Sequence, residues 1–348
     1  MRQKRQMAAG LLALLTALSL TACGTEPSGA SPTGGEEGGS ATEPVRLTFV
    51  LDWTPNTNHT GVYAAIDQGY FAQAGLEVEV VQPPEDGAEM LVASGRAQFG
   101  VSAQGNLADA LSGEAPMPVT AVAAVLQHNT AGIISRKGEG MDRPSGMESR
   151  RYATWDRAVE KAVLRQVVES DGGDFSRVEL VPSTVTDAVS GLESRSVDAI
   201  WVFYGWEGIA CEAAGLETDF FALKDIDPVF DYYTPVIIGG NEFLAQHPQT
   251  ARTFLAALSK GYEFAAEHPE EAARILMNAA PELKDSQTLV VESQKYLAEQ
   301  YIADAARWGQ IDDARWSAYY TWLNDHDLLE KGRIDPHSGY TNDFLPES

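Results

Sequence analysis

The stretch from Leu47 to Val80, LTFVLDWTPNTNHTGVYAAIDQGYFAQAGLEVEV, constrains the fold more than any other. Leu47-Thr48-Phe49-Val50-Leu51 has the length and β-branched content of a buried strand. Asp52 to His59 is then polar and turn-rich, with one large aromatic, Trp53. From about Thr60 the apolar residues Val62, Tyr63, Ile66, Tyr70 and Phe71 recur at helical spacing, and the pattern stops near Gly75. Leu76 to Val81 reads as a second strand. This is one βαβ unit, with its polar loop at the carboxyl end of the first strand, where open α/β sheets bind ligands. The same residues admit a plainer reading, in which Trp53 packs and the asparagines cap the helix.

Three pieces of this stretch, WTPNTNHTG from Trp53, A-x-D-x-G-Y-F from Ala65 and G-L-E-V-E from Gly75, carry a resemblance. They resemble the thiamine-pyrimidine-precursor binding proteins of bacterial ABC importers, whose fold the fungal pyrimidine synthases share. The likeness extends more weakly from Val45 to about Phe344. It implies a small pyrimidine ligand and, as partners, a permease and an ATPase on other chains.

The amino terminus reads as a targeting segment over residues 1–22. Arg2, Lys4 and Arg5 form a basic head, Met7 to Leu20 an apolar stretch too short for a spanning helix, and Leu20-Thr21-Ala22-Cys23 closes it. That quartet resembles the bacterial lipobox, which implies lipidation at Cys23 and an extracytoplasmic protein anchored to the membrane. A plain secretory signal and an uncleaved anchor are the alternatives. Residues 24–44 contain no large apolar residue and so cannot form a core, which makes 23–44 a lipidated cysteine and flexible tether.

The 348-residue chain carries a formal charge of −25, which argues against nucleic acid as a partner. It has two cysteines, so with Cys23 lipidated Cys211 has no disulfide partner. Cys211 reads as a small buried hydrophobe.

Beyond the first unit, strands and helices alternate. Residues 45–137 read as the first part of one lobe, with Lys137 to Met147, marked by Gly and Pro, as the crossing to a second lobe over 138–231. Asp225 to Asp231 makes the return crossing. Residues 232–348, a strand followed by helices, rejoin the first lobe. The expected fold is therefore α/β, two-lobed, with a ligand cleft between the lobes and two hinge crossings. It resembles type II periplasmic binding proteins, and we expect a monomer.

No catalytic motif emerges. The six histidines show no HExxH spacing, no CxxC pair occurs, and neither a P-loop nor a G-x-S-x-G elbow is present. We expect no metal and no cofactor. The synthases within the resemblance carry a Lys at the end of the strand after the second helix, a reacting His four residues on, and a cysteine-rich iron motif on the returning strand. Those positions fall on Ser102, Asn106 and Asp231 to Pro235, and none of the three features is present. Without the Lys no Schiff base with pyridoxal phosphate forms, which favours binding over synthesis.

What remains is a set of aromatics and amides at predicted strand ends and crossings. Trp53, Trp155, Tyr204, Trp206 and Tyr232 are the candidate stacking residues. Asn56, Asn58, His59, Gln104, Asn106 and Glu207 are the candidate edge readers. Aromatic faces suit a flat heterocycle. Arg157 is the one cation near these loops, which disfavours an anionic ligand such as a sulfonate, although that and a riboflavin-like heterocycle stay open. Glu207 either accepts hydrogen bonds from an exocyclic amine or is a surface carboxylate favoured by a helix N-terminus. Cys23→Ser is expected to release the protein from the membrane fraction. A variant that stays bound after carbonate washing would make the apolar segment itself the anchor.

Overall fold

The computed structural model describes residues 43–182 and 187–347. The targeting segment, Cys23 and most of the tether lie outside the described residues. Among the described residues, ten strands form two five-stranded sheets. The first contains β1 (Val45–Val50), β2 (Leu76–Val81), β3 (Phe99–Ser102), β4 (Val119–Ala124) and β10 (Val236–Gly240), in the order β2-β1-β3-β10-β4. The second contains β5 (Ala131–Arg136), β6 (Arg151–Thr154), β7 (Glu179–Pro182), β8 (Ala199–Phe203) and β9 (Thr218–Ala222), in the order β7-β6-β8-β5-β9.

Each sheet mixes parallel strands with one strand that arrived by crossing. β1 pairs parallel with β2 and β3, as the βαβ reading requires, whereas β10 runs antiparallel to β3 and β4. β5 likewise runs antiparallel to β8 and β9 in the second sheet. Both β5 and β10 are buried along their whole length, which accounts for the apolar run of β10 and of β5 up to Ile134.

The placement of β5 corrects one boundary. The sequence puts Ala131 to Ser135 in the first lobe and the crossing at Lys137 to Met147. In the structure the chain has already crossed in Val125 to Thr130, between β4 and β5. The Gly- and Pro-marked segment is a turn inside the second lobe. There Arg136 is bidentate to Glu139 at 2.9 Å, and the Ser145 N–H donates to Asp171 at the end of helix Ala158–Ser170. The true crossing is short because it is pinned to the return crossing beside it. The Asn129 N–H donates to Asp231 at 2.9 Å, its amide donates to the Phe230 carbonyl at 2.9 Å, and His128 lies 2.8 Å from Asp231.

The helices after β10 cover the first sheet. Helix Pro248–Glu267 crosses helix Thr60–Asp67 at two glycines: a Cβ on Gly261 would sit 2.1 Å from the Gly61 carbonyl oxygen, and one on Gly61 would sit 2.3 Å from the Tyr262 ring. That close approach brings Tyr262 up behind the polar loop after β1. At the rear, helix Asp313–Asp325 ties the lobes together. The Trp322 indole N–H donates to Gln166 at 2.6 Å and the ring meets Phe230 edge-on at 5.2 Å. Gly261→Ala is expected to destabilise the chain by about 1–3 kcal/mol, the usual cost of overpacking. Urea unfolding of variant and parent checks it, with an unchanged midpoint as the contrary result.

Candidate functional site

The carboxyl ends of β1, β6 and β8 and both crossings converge on a cavity of about 680 Å³. Its walls come from both sheets. Asp52, Trp53, Asn56 and Asn58 project from the loop after β1, Trp155 from the end of β6, and Trp206 and Glu207 from the turn after β8. Leu126, Ile200, Val202, Leu289 and Leu297 supply apolar surface, and Trp201 sits beside Trp155 with ring centroids 5.9 Å apart.

The loop after β1 is built to present Asp52. Asn56 caps the 3-10 turn Thr57–His59, its side-chain oxygen accepting from the Asn58 N–H at 2.9 Å. The Asn56 N–H in turn donates to His59 Nδ1 at 3.2 Å. An accepting Nδ1 leaves the ring proton on Nε2, which donates to Asp52 Oδ1 at 2.7 Å. One Asp52 oxygen is thus held by a fully buried imidazole, and the residue lines the cavity. From behind, Tyr301 donates to the Thr57 carbonyl at 2.7 Å and Tyr262 to the Asn58 carbonyl at 2.8 Å.

Glu207 is held in a similar way from the other sheet. It lies in a single π-helical turn, Tyr204–Gly208, a geometry frequent at functional sites. Its Oε2 accepts from the Phe203 N–H at 3.1 Å. Burial pushes its carboxyl above the ordinary glutamate range, and the hydrogen bonds from backbone N–H groups only partly offset that. Trp155 is positioned by a buried carboxylate, Glu160, which accepts from the Trp155 N–H at 3.1 Å, Tyr152 Oη at 2.8 Å and Thr154 Oγ1 at 2.9 Å.

Of the sequence candidates, Trp53, Asn56, Asn58, Trp155, Trp206 and Glu207 line the cavity, and five do not. His59 lies behind the loop and acts on Asp52. Gln104 is fully buried as a brace, donating to the Trp316 carbonyl at 2.8 Å and accepting from the Tyr233 N–H at 2.9 Å. Asn106 is exposed on the helix that Gln104 begins. Tyr204 turns to the outer side, hydrogen-bonded to Glu212 and packed on Phe220. Tyr232 stacks on Tyr319 at 4.0 Å as part of the rear packing. Arg157 pairs with Asp109 at 3.4 Å away from the cavity.

Asp52, Thr130, Asp187, Trp201, Leu289 and Leu297 are among the lining residues that the sequence did not lead us to expect there. Asp52 was within reach of sequence reasoning, as the first polar residue after β1. Leu289 and Leu297 lie far along the chain, and nothing local marks them.

The cavity is acidic and aromatic. Asp52, Asp187 and Glu207 face it, with no Lys, Arg or His among the described lining residues. Asp187 spends its carboxylate capping helix Ala188–Glu193, accepting from the Val189 N–H at 3.0 Å and from Ser190. Asp52 and Glu207 stand on opposite walls, and neither pairs with a Lys or Arg among the described residues. Such a site takes a flat ring carrying N–H groups and repels an anion.

A family model described as NMT1/THI5 like matches residues 56–272. A formylaminopyrimidine-binding protein of Halalkalibacterium halodurans is 28% identical over 289 residues, 82% of this chain and 86% of that protein. A 4-amino-5-hydroxymethyl-2-methylpyrimidine phosphate synthase of Legionella pneumophila is 23% identical over 316 residues, 87% of this chain and 93% of that enzyme. In structure, the periplasmic aliphatic sulphonate binding protein SsuA of Escherichia coli matches with a TM-score of 0.64 at 12% identity, covering 84% of this chain and 92% of that one. The periplasmic nitrate-binding protein NrtA of Synechocystis PCC 6803 matches at 0.60 and 13% identity, covering 87% of each. At those identities the structural likeness is one of fold.

The Glu207 carboxyl gives a pH-dependent expectation. Its folded value is raised, so between the ordinary glutamate range and that value the folded chain holds a proton that the unfolded chain has lost. Its contribution to stability therefore falls as pH rises through that window and stays reduced above it. Glu207→Gln is expected to raise the melting temperature of the ligand-free chain at about pH 7 and to leave it nearly unchanged at about pH 4. A variant that melts lower at neutral pH would make Glu207 a residue that holds the fold together.

Proposed function

Because the chain belongs to the NMT1/THI5-like family, we propose that it is the substrate-binding component of an ABC importer and captures a thiamine-type aminopyrimidine. The observation that carries this reading is the placing of the Asp52 and Glu207 carboxylates, neither paired with a Lys or Arg among the described residues, in a cavity walled by Trp53, Trp155, Trp201 and Trp206. The indoles stack on the ring faces, each pair worth about 0.5–1.5 kcal/mol beyond burial. The carboxylates accept from the exocyclic amine and a second N–H. The relative from Halalkalibacterium halodurans is named for a ligand of this class.

A binding role is supported over synthesis by the residues at the enzymes' reactive positions. Ser102 is buried and donates to Glu89 at 2.5 Å, Asn106 is exposed, and the returning strand has no cysteine. An anionic ligand is opposed by the carboxylates in the cavity. A larger heterocycle is the second reading, favoured by a volume of about 680 Å³, roomy for one six-membered ring. On this reading residues 1–22 direct export, Cys23 carries a lipid anchor, and the monomer meets its permease and ATPase at the membrane. Ligand binding would favour the closed state, since only that state brings both walls to the ring.

Mass spectrometry of small molecules released from the purified protein, followed by calorimetry with formylaminopyrimidine, tests the reading. Release of a phosphorylated or sulfonated compound would overturn it. Trp53→Ala removes stacking area, and Glu207→Gln is expected to cost on the order of 1–2 kcal/mol of binding. Because both contacts depend on closure, their losses should be non-additive in a double-mutant cycle. Unchanged affinity in Glu207→Gln would remove that residue from the site.

A further inference from the structure

We propose that helix Gln287–Ala298 is a latch that holds the two walls of the cavity together, with Ser293 as its catch. The proposal concerns the same cavity and rests on the binding-protein reading.

The helix follows the first lobe. Gln294 donates to the Ala265 carbonyl of helix Pro248–Glu267 at 3.1 Å, and Tyr301 joins Gln294 at 3.2 Å to the Thr57 carbonyl at 2.7 Å. Across the cavity mouth the same helix meets the second lobe at the π-helical turn that carries Glu207. Tyr296 packs on Tyr204 with centroids 5.4 Å apart, and Leu289 and Leu297 reach into the cavity. Ser293 is fully buried between these contacts.

The hydrogen bonds of Ser293 have a determined direction. Its hydroxyl touches both the Gly205 carbonyl and Thr57 Oγ1, the latter at 2.6 Å. A carbonyl only accepts, so the Ser293 proton goes to Gly205 and the Thr57 hydroxyl must donate to Ser293. The relay Thr57 to Ser293 to Gly205 therefore links the loop that presents Asp52 to the turn that presents Glu207. Its last bond spans the lobes. The rear of the molecule is held separately by the paired crossings and by Trp322 on Gln166. A rotation about that rear hinge opens the front by breaking the Ser293–Gly205 bond and drawing Leu297 away from Gly205.

The steric fit at Gly205 points the same way. A Cβ there would lie 2.7 Å from Leu297 Cδ2 and 3.2 Å from Leu297 Cγ. Gly205 has no left-handed backbone angle, so alanine is compatible with the turn's backbone, and the three atoms nearest its Cβ all belong to the latch helix.

Pulsed electron-spin distance measurements on the full chain, with labels at the exposed positions Asp67 and Glu193 on the two lobes, test the latch. In ligand-free protein, Ser293→Ala and Gly205→Ala are each expected to shift population toward longer separations, on the order of tenfold for one buried hydrogen bond. Stopped-flow dissociation of formylaminopyrimidine should quicken by the same factor, with association little changed. Distance distributions like the parent's in both variants would overturn the latch. Should Ser293→Ala lose its far-UV circular dichroism, Gly205→Ala decides the question alone. Should the parent fail to bind the pyrimidine, the ligand reading falls, and the ligand-free distances still decide the latch.

Discussion

A polar loop can wall a largely water-excluded cavity only if its own backbone is satisfied from behind, and the loop Asp52 to His59 depends on that. Its carbonyls at Thr57 and Asn58 are met by the hydroxyls of Tyr301 and Tyr262, its amides by Asn56 and His59. Unpaired, each buried group would cost about 1–3 kcal/mol. The helices that carry those tyrosines must therefore lie against the first sheet, and the glycine contact between Gly61 and Gly261 lets them approach closely enough. The amphipathic helices after β10 are thus the support of a loop some 200 residues earlier.

The carboxylates divide by how completely they are satisfied. Asp198 is surrounded by Arg136 and Arg151, at 2.8 and 2.7 Å, and sits well below the usual carboxylate range despite the burial that opposes it. Glu160 has four donors at the base of the Trp155 loop, Tyr152, Thr154 and the N–H groups of Trp155 and Arg157. Both are complete without a ligand and serve the scaffold. Among the described residues Glu207 has no cation as a hydrogen-bond partner, and burial leaves it raised. An incompletely paired buried acid is a cost to the fold that a hydrogen-bond donor would offset.

The lobes share two kinds of connection with different consequences. Behind the cavity, the crossings and helix Asp313–Asp325 join the lobes. In front, helix Gln287–Ala298 joins them through Ser293 and Gly205. Such a division between hinge and front suits a ligand that bridges the walls.

The sequence by itself determined the βαβ start, the alternation of strands and helices, the return of the chain to its first sheet, and the identity of Trp53, Trp155, Trp206 and Glu207 as cavity residues. All of these follow from local periodicity and from the rule that loops after strands face the ligand. It did not determine which sheet β5 joins, because a buried apolar strand reads the same in either, and a four-residue polar link, Gln127 to Thr130, is a weaker mark than the Gly- and Pro-rich turn beyond it. Nor did it separate Gln104, Tyr204 and Tyr232 from the true walls, since an amide or a phenol beside a strand end braces the core or faces the cleft according to where its side chain is directed. The tertiary structure decided those directions, and it alone brought Leu289, Ser293 and Leu297 to the front of the cavity, because their neighbours there lie far from them along the chain.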